Sequence, residues 1–320
     1  MSALRRALGL PWEAAAAARG RHLAASARQA DVPVICLGNL TMGGTGKTPA
    51  AVWVIGALSP RKVGLLRRGY GAEVGADSAG DEESTWLAGV LGPSALVHES
   101  PDRVAGAATL VGRGAQVIVM DDGFQHRRLA RDLDIVLVDS TRPWGGGGCP
   151  PGGLLREGPA ALGRAGAVVL TRTDQASKSQ LTALRSEVRH RAPAAVHAEA
   201  VHRLAGLRDA ATGTPAAVAG LGPVTLVSAI GNPGAFESSA RAAGLEVTSH
   251  RRFRDHHAFR ITDLEGLEPG RWVTTAKDAV KLPGADEDMR PLVLDVEFQV
   301  TRGEVDLRAQ LTRAAEGNLR

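Results

Sequence analysis

Several things are scarce or missing in this sequence, and each absence removes a class of protein. Cysteine occurs only at Cys36 and Cys149, too few for a disulfide framework or a zinc cluster and in keeping with reduced thiols of a cytosolic protein. Aromatic residues make up 3% of the chain, and no internal repeat is visible. No stretch reaches about 18 consecutive apolar residues, so no transmembrane helix is expected. Arg5 and Arg6 precede only a short apolar run, broken by Pro11 and Glu13, which is not a standard signal peptide. The formal charge of +4 suits an anionic ligand or membrane surface but is too mild to imply nucleic acid.

What is present has the balance of a soluble globular protein, with 44% hydrophobic and 22% charged residues over 320 positions, room for one large α/β domain or two modest ones. Short apolar runs alternate with helical patterns, which predicts a parallel sheet covered by helices on both faces. Strands are expected at Pro33–Leu37, Lys62–Leu66, Val117–Met120, Ile135–Val138 and Val168–Thr171, with helices at Lys47–Leu58, Asp102–Gly112 and Ser177–Arg189. A Gly/Pro-rich stretch over 142–159 interrupts the rhythm and reads as a long functional loop. The pattern resumes with Val224–Ile230, a helix at Pro233–Ala243 and strands near Trp272–Thr275 and Leu292–Val296. The expected division is an N-terminal basic helical segment at 1–30, a main α/β domain at 31–219 and a smaller α/β domain at 220–320.

The first 30 residues hold five arginines (Arg5, Arg6, Arg19, Arg21, Arg28) against the single acid Glu13. This Ala-rich, helix-prone segment could lie on anionic headgroups or simply be a solvated helix leading into the first strand.

The strongest motif is Gly43-Gly44-Thr45-Gly46-Lys47-Thr48, between an apolar strand and a helix. Backbone N–H groups at a helix start attract phosphate, and the helix dipole adds to that attraction. Glycines let the chain wrap the phosphates, Lys47 can reach their oxygens, and the Thr48 hydroxyl can hold Mg²⁺. Pro49 suits the first helical turn. The pattern is the GGxGK[ST] variant, since Thr41 stands where the longer phosphate-loop motif has glycine. Nucleotide binding follows.

Asp121 and Asp122 come directly after the apolar run ending at Met120. Acids at the carboxyl end of a parallel strand lie on the ligand-binding edge and can serve a metal there, although an exposed Asp-Gly turn would look the same. Gly80-Asp81-Glu82-Glu83, taken alone, reads as a solvated helix start with N-terminal acids. Asp255-His256-His257 matches no zinc spacing, yet an Asp with a His could form an acid/base pair.

Taken in order, Val34–Pro49, Leu66–Gly71 (LRRGYG), Gly80–Glu82, Asp121–Arg131 (DDGFQHRRLAR), Pro151–Glu157 (PGGLLRE), Asp255-His256 and Thr275–Lys281 (TAKDAVK) resemble the tetraacyldisaccharide 4′-kinase family. The resemblance covers about residues 32–282. It implies a phosphate-loop NTPase-like α/β domain joined to a smaller α/β domain, closing around ATP. It implies transfer of the ATP γ-phosphate, with Mg²⁺, to the 4′-hydroxyl of an acylated glucosamine disaccharide 1-phosphate at the cytoplasmic face of the inner membrane. No obligate protein partner is implied.

By the same resemblance Gly43–Thr48 would cradle ATP, with Lys47 on the phosphates. Asp81 would be the general base and His256 its pairing partner. Thr48, Asp121, Asp122 and Glu157 would form the metal side. Arg67 and Arg68 could meet the anionic substrate, or either could equally be a solvated surface residue. The chain departs from the family pattern at Arg67 (usually Ser), Glu83 (usually Pro) and Ala276 (usually Glu).

Two other readings of the loop are an ATP-dependent ligase or amide synthetase, and a partitioning-type ATPase switch. The switch proteins carry a further lysine just before the two glycines, where this chain has Thr41-Met42. The 121–131 motif counts against both.

Overall fold

The computed structural model describes residues 3–69, 82–255, 257–282 and 289–317. Asp81 and His256 lie outside the described residues. By internal contact the chain divides into two units, Met1–Val201 with Gln299–Arg320, and His202–Phe298. The boundary expected near residue 220 therefore falls inside the second unit, and the chain's last helix belongs with the first.

In the first unit β1 (Val34–Asn39), β2 (Val63–Arg67), β3 (Ala95–Glu99), β4 (Val117–Asp121), β5 (Leu133–Asp139), β6 (Ala167–Thr171) and the start of β7 (Val196–Asp209) are ordered β3-β2-β4-β1-β5-β6-β7. Neighbours run parallel, with Leu37 opposite both Asp121 and Ile135. Every residue of β1, β4 and β6 is buried, as expected for a sheet covered on both faces. This is why these strands read as unbroken apolar runs rather than alternating ones.

After β1 the chain builds β2, β3 and β4 on one side of it, and then β5, β6 and β7 on the other. The carboxyl end of β1 is thus the switch point where ligands of open α/β sheets bind, and the glycine-rich loop starts there.

Helices α1 (Ala3–Ala25), α2 (Lys47–Ala57), α3 (Glu82–Leu91), α4 (Arg103–Gly112) and α5 (Lys178–Arg191) also belong to the first unit. Local chemistry sets their starts. The Asp102 carboxylate accepts from Val104 N and Ala105 N to cap α4, and Ser177 with Gln180 forms a capping box on α5. The α1 helix lies within the expected N-terminal segment and carries Pro11 within it.

The second unit holds β8 (Pro223–Ser228), α6 (Pro233–Ala242), β9 (Glu246–Arg252), β10 (Trp272–Thr275), the short α7 (Ala276–Ala279) and most of β11 (Leu292–Arg302). Strand β10 pairs in parallel with both β8 and β11, and β9 lies on the outer side of β8. Leu226, Phe236, Val247 and Leu294 pack into one apolar cluster of this unit, and Val227, Phe259 and Trp272 into another. The chain returns to the first unit as α8 (Glu304–Ala315), which buries Leu307, Leu311 and Ala314.

One close approach ties the acidic turn after β4 to β1. A Cβ built on Gly38 would meet Phe124 Cβ at 2.6 Å and Phe124 N at 3.0 Å, and Phe124 is fully buried. Gly38→Ala is expected to destabilise the protein by about 1–3 kcal/mol through overpacking. Denaturant unfolding checks this, and an unchanged midpoint would show that the turn yields freely.

Candidate active site

The glycine-rich loop is held from within by Asn39, the last residue of β1. Its buried side-chain Nδ2 donates to Thr45 Oγ1 at 3.0 Å and reaches Thr41 Oγ1 and Gly43 O at 3.5 Å. Its backbone oxygen accepts from Gln125 Nε2 at 3.0 Å. A second brace comes from the end of β6, where Thr171 Oγ1 donates to Thr45 O at 3.2 Å and Arg172 Nη1 donates to Gly44 O at 3.1 Å. Arg172 also pairs with buried Asp139 at the tip of β5.

Arg172 adopts φ 55°, a left-handed conformation that costs a non-glycine residue about 1–3 kcal/mol. Removing one partner of a buried ion pair costs about 3–5 kcal/mol. The pair with Asp139 and the bond to Gly44 O hold the arginine under the loop in this conformation. Within the loop Gly43 and Gly46 take φ 123° and 86°, and Gly46 leads directly into α2.

Lys47 and Thr48 open α2 beside the acids of β4, and those two acids are held differently. Asp122 has φ 53°, and its Oδ1 meets Lys47 Nζ at 3.4 Å and Arg156 Nη1 at 2.7 Å. Burial alone would raise its pKa, but Lys47 and Arg156 together outweigh burial and hold the carboxyl below the ordinary range. Asp121 is nine-tenths buried, and burial pushes its carboxyl up, against the pull of Arg67 and Lys47. Its Oδ2 lies 3.9 Å from Arg67 Nε, and its Oδ1 has no hydrogen-bond partner among the described residues. Nearby His126 is pushed down to about 4, by burial first and then by Arg103, Arg128 and Arg131. It is therefore neutral at pH 7.

The Gly/Pro-rich stretch lies along the glycine-rich loop. Thr41 bridges Leu155 in antiparallel fashion, Met42 N donates to Leu154 O, and Arg156 N donates to Leu40 O, the last two at 2.7 Å. This places Arg156 on Asp122. Glu157 is engaged by Arg164 through both carboxylate oxygens, at 3.0 and 3.1 Å, and the Arg164 guanidinium stacks over Phe124. On the outer side α1 rests on the same stretch. A Cβ on Gly9 would meet Cys149 O at 2.7 Å, and Trp12 Nε1 donates to Arg156 O at 3.4 Å.

In the second unit two of the sequence motifs meet. Asp255 pairs with Lys277 at 3.6 Å, and His257 bonds to Asp263 at 2.8 Å while stacking on Phe253. Buried Asp278 accepts from Ala229 N at 2.9 Å and from Thr275 Oγ1 at 2.9 Å, which joins the tips of β8 and β10.

Sequence reasoning passed over the residues that brace the site: Asn39, Asp139, Arg172, Arg156 and Glu83. The position of Asn39 and Arg172, each at the end of an apolar strand, was the available signal. Glu83 carried none beyond being a departure. It is buried, accepts from Thr48 Oγ1 at 3.5 Å, and pairs with Arg67 at 2.9 Å.

Among the described residues no group of three His, Cys, Asp or Glu side chains is arranged to hold a metal alone. Mg²⁺ seldom needs one, because it keeps waters and takes phosphate oxygens beside one or two carboxylates. A buried carboxylate oxygen on Asp121 with no partner among the described residues, on a carboxylate that feels Lys47, fits that requirement.

Comparison with known proteins points the same way. The family model for tetraacyldisaccharide-1-P 4′-kinase (LpxK) matches residues 1–316. A tetraacyldisaccharide 4′-kinase of Anaeromyxobacter sp. (strain Fw109-5) is 41% identical, over 95% of this chain and 89% of the relative. That of Elusimicrobium minutum is 36% identical, over 87% and 81% respectively. Among solved structures, LpxK from Aquifex aeolicus in complex with ATP superposes with a TM-score of 0.71 at 24% identity, covering 96% of this chain and 97% of that one, which shows the shared fold. The chain belongs to the tetraacyldisaccharide 4′-kinase family.

Proposed function

We propose that this chain transfers the γ-phosphate of ATP to the 4′-hydroxyl of tetraacyldisaccharide 1-phosphate, with Mg²⁺, at a membrane surface. Family membership supports the reaction. The observation that carries the site is the placement of Lys47 and Thr48 at the start of α2, with Lys47 acting on Asp121, whose Oδ1 has no hydrogen-bond partner among the described residues.

Phosphoryl transfer needs positioning and charge neutralisation more than covalent help. The backbone N–H groups of Gly43–Thr48 and the Lys47 ammonium would hold the phosphates of ATP. Thr48 and Asp121 would hold Mg²⁺, which when bound offsets charge on the phosphate oxygens. Asp122 pairs with both Lys47 and Arg156 and so fixes where their charges sit. Glu157 acts on this side through its clamp on Arg164. Asp81 would take the proton of the 4′-hydroxyl as its oxygen bonds to the γ-phosphorus and the bond to ADP breaks, with His256 orienting the carboxylate. These roles for Asp81 and His256 come from the family resemblance.

The acyl chains keep the acceptor in a bilayer, so the enzyme has to work at its surface. Among the described residues no helix is long and apolar enough to cross a membrane. Leu10 and Trp12 of α1 are exposed, as are Met42 and Leu154 beside the glycine-rich loop, and Arg19, Arg21 and Arg28 are also exposed. An apolar surface flanked by arginines suits peripheral attachment to anionic lipid, and the cytoplasmic face of the inner membrane is the proposed location.

Three measurements test this reading. Lys47→Ala should lower kcat for acylated disaccharide phosphate by about 10²–10³-fold or more, with the fold kept because Asp122 retains Arg156; near-normal turnover would refute the phosphate role. Asp81→Ala should lower kcat by roughly 10²–10⁴-fold with little change in ATP affinity, whereas a loss confined to ATP binding would move Asp81 to the metal side. Since α1 packs on the 149–158 stretch, deleting it would disturb the site, and point changes are cleaner. Leu10→Ser with Trp12→Ser should reduce co-flotation with anionic vesicles while turnover on detergent-dispersed substrate persists. Unchanged flotation would place the membrane contact elsewhere.

A further inference from the structure

The end of β2 meets the first turn of α3 in a cluster of charges that the proposed chemistry does not use. Arg67 Nη2 pairs with Glu83 Oε2 at 2.9 Å, its Nη1 lies 3.3 Å from Glu99 Oε1 and donates to Ser84 Oγ at 2.7 Å, and its Nε lies 3.9 Å from Asp121 Oδ2. Ser84 also donates to Glu99. The side chains of Glu83 and Glu99 are less than a tenth exposed, and that of Arg67 is 11% exposed. Such a group is not a surface ion pair that gains little from forming. Three carboxylates share one guanidinium here, and the geometry leaves Glu83 Oε1 directed at Thr48 Oγ1, 3.5 Å away.

That contact has a chemical consequence for Thr48. A hydroxyl that ligates a cation must present a lone pair to it, so its proton needs an acceptor on another side. Glu83 Oε1 is such an acceptor. The Arg67 guanidinium, fixed by Glu99 and Ser84, keeps the Glu83 carboxylate turned that way and reaches Asp121 with its Nε edge. One arginine therefore orients both groups to which the metal side is assigned.

We propose that Glu83 and Arg67 are positioning residues for the divalent cation that accompanies ATP, acting through the Thr48 hydroxyl and the Asp121 carboxylate. The inference rests on the reading of Thr48 and Asp121 given above. It adds a specific role for a glutamate that no phosphate-loop pattern requires.

The test is calorimetric titration of ATP into the full-length protein at a series of Mg²⁺ concentrations and in EDTA, with no turnover needed. For Glu83→Gln, the Mg²⁺ concentration that half-supports tight ATP binding should rise by about 10-fold or more, as for other residues that orient metal ligands. ATP affinity in EDTA should stay at the wild-type value. Glu83→Asp, which keeps the charge on a shorter arm, should fall between the two. It also serves as the variant of record if the glutamine form does not fold. In a Thr48→Ala background, Glu83→Gln should shift the Mg²⁺ dependence no further.

An unchanged Mg²⁺ dependence in Glu83→Gln and Glu83→Asp overturns the proposal. So does an equal loss of ATP affinity with and without Mg²⁺, which would mark a merely structural role. Wild-type protein whose ATP affinity ignores Mg²⁺ would instead overturn the underlying assignment of Thr48 and Asp121, and the relay with it.

Discussion

Two carboxylates stand side by side at the end of a buried strand, and the surroundings of this site are organised by the need to keep both in place. Like charges at adjacent positions, out of water, favour protonation of one. The protein treats them unequally. Asp122 receives two cations, Lys47 and Arg156, and sits in a backbone conformation that turns it toward the loop. Asp121 feels Lys47 and the distant edge of Arg67, and its Oδ1 has no hydrogen-bond partner among the described residues. The first arrangement makes a fixed anion that aims two positive side chains. The second leaves a site short of positive charge, which suits a group whose partner arrives with the nucleotide.

The glycine-rich loop is rigidified by the same economy. Glycine gives the loop its turns, but glycine alone would leave it floppy, because each such residue surrenders much conformational freedom on folding. Asn39 bonds across the inside, Thr171 and Arg172 take the carbonyls of Thr45 and Gly44 from one side, and Leu154 and Arg156 bond the backbone from the other. Taking up the carbonyls in this way leaves the loop's N–H groups for phosphate.

The sheet, its covering helices and the position of the loop were legible because parallel strands buried on both faces produce short apolar runs. β1, β2, β4, β5 and β6 all lie where such runs occur. β7 was missed because its exposure changes along its length, with no apolar run to mark it. At the site, Lys47, Thr48 and the two aspartates stood out through their spacing from the strands, whereas Arg172 and Asp139 did not. Their role depends on which strand tips are neighbours, a fact of topology rather than spacing. Arg67 and Glu83 are two separate departures from the family pattern, and nothing in the sequence links them. In the structure they bond to each other, so what reads as two irregularities along the chain is one interaction in space.

The stretch Leu154-Leu155-Arg156 presents three successive side chains to three different surroundings. Leu154 faces solvent, Leu155 is buried in the core, and Arg156 holds Asp122. The backbone of the same stretch is bonded to Leu40 and Met42. Losing or gaining a single residue here would misdirect all three side chains together, so this loop cannot vary in length as surface loops ordinarily do. Insertions in related chains should accumulate on either side of this triplet and never within it.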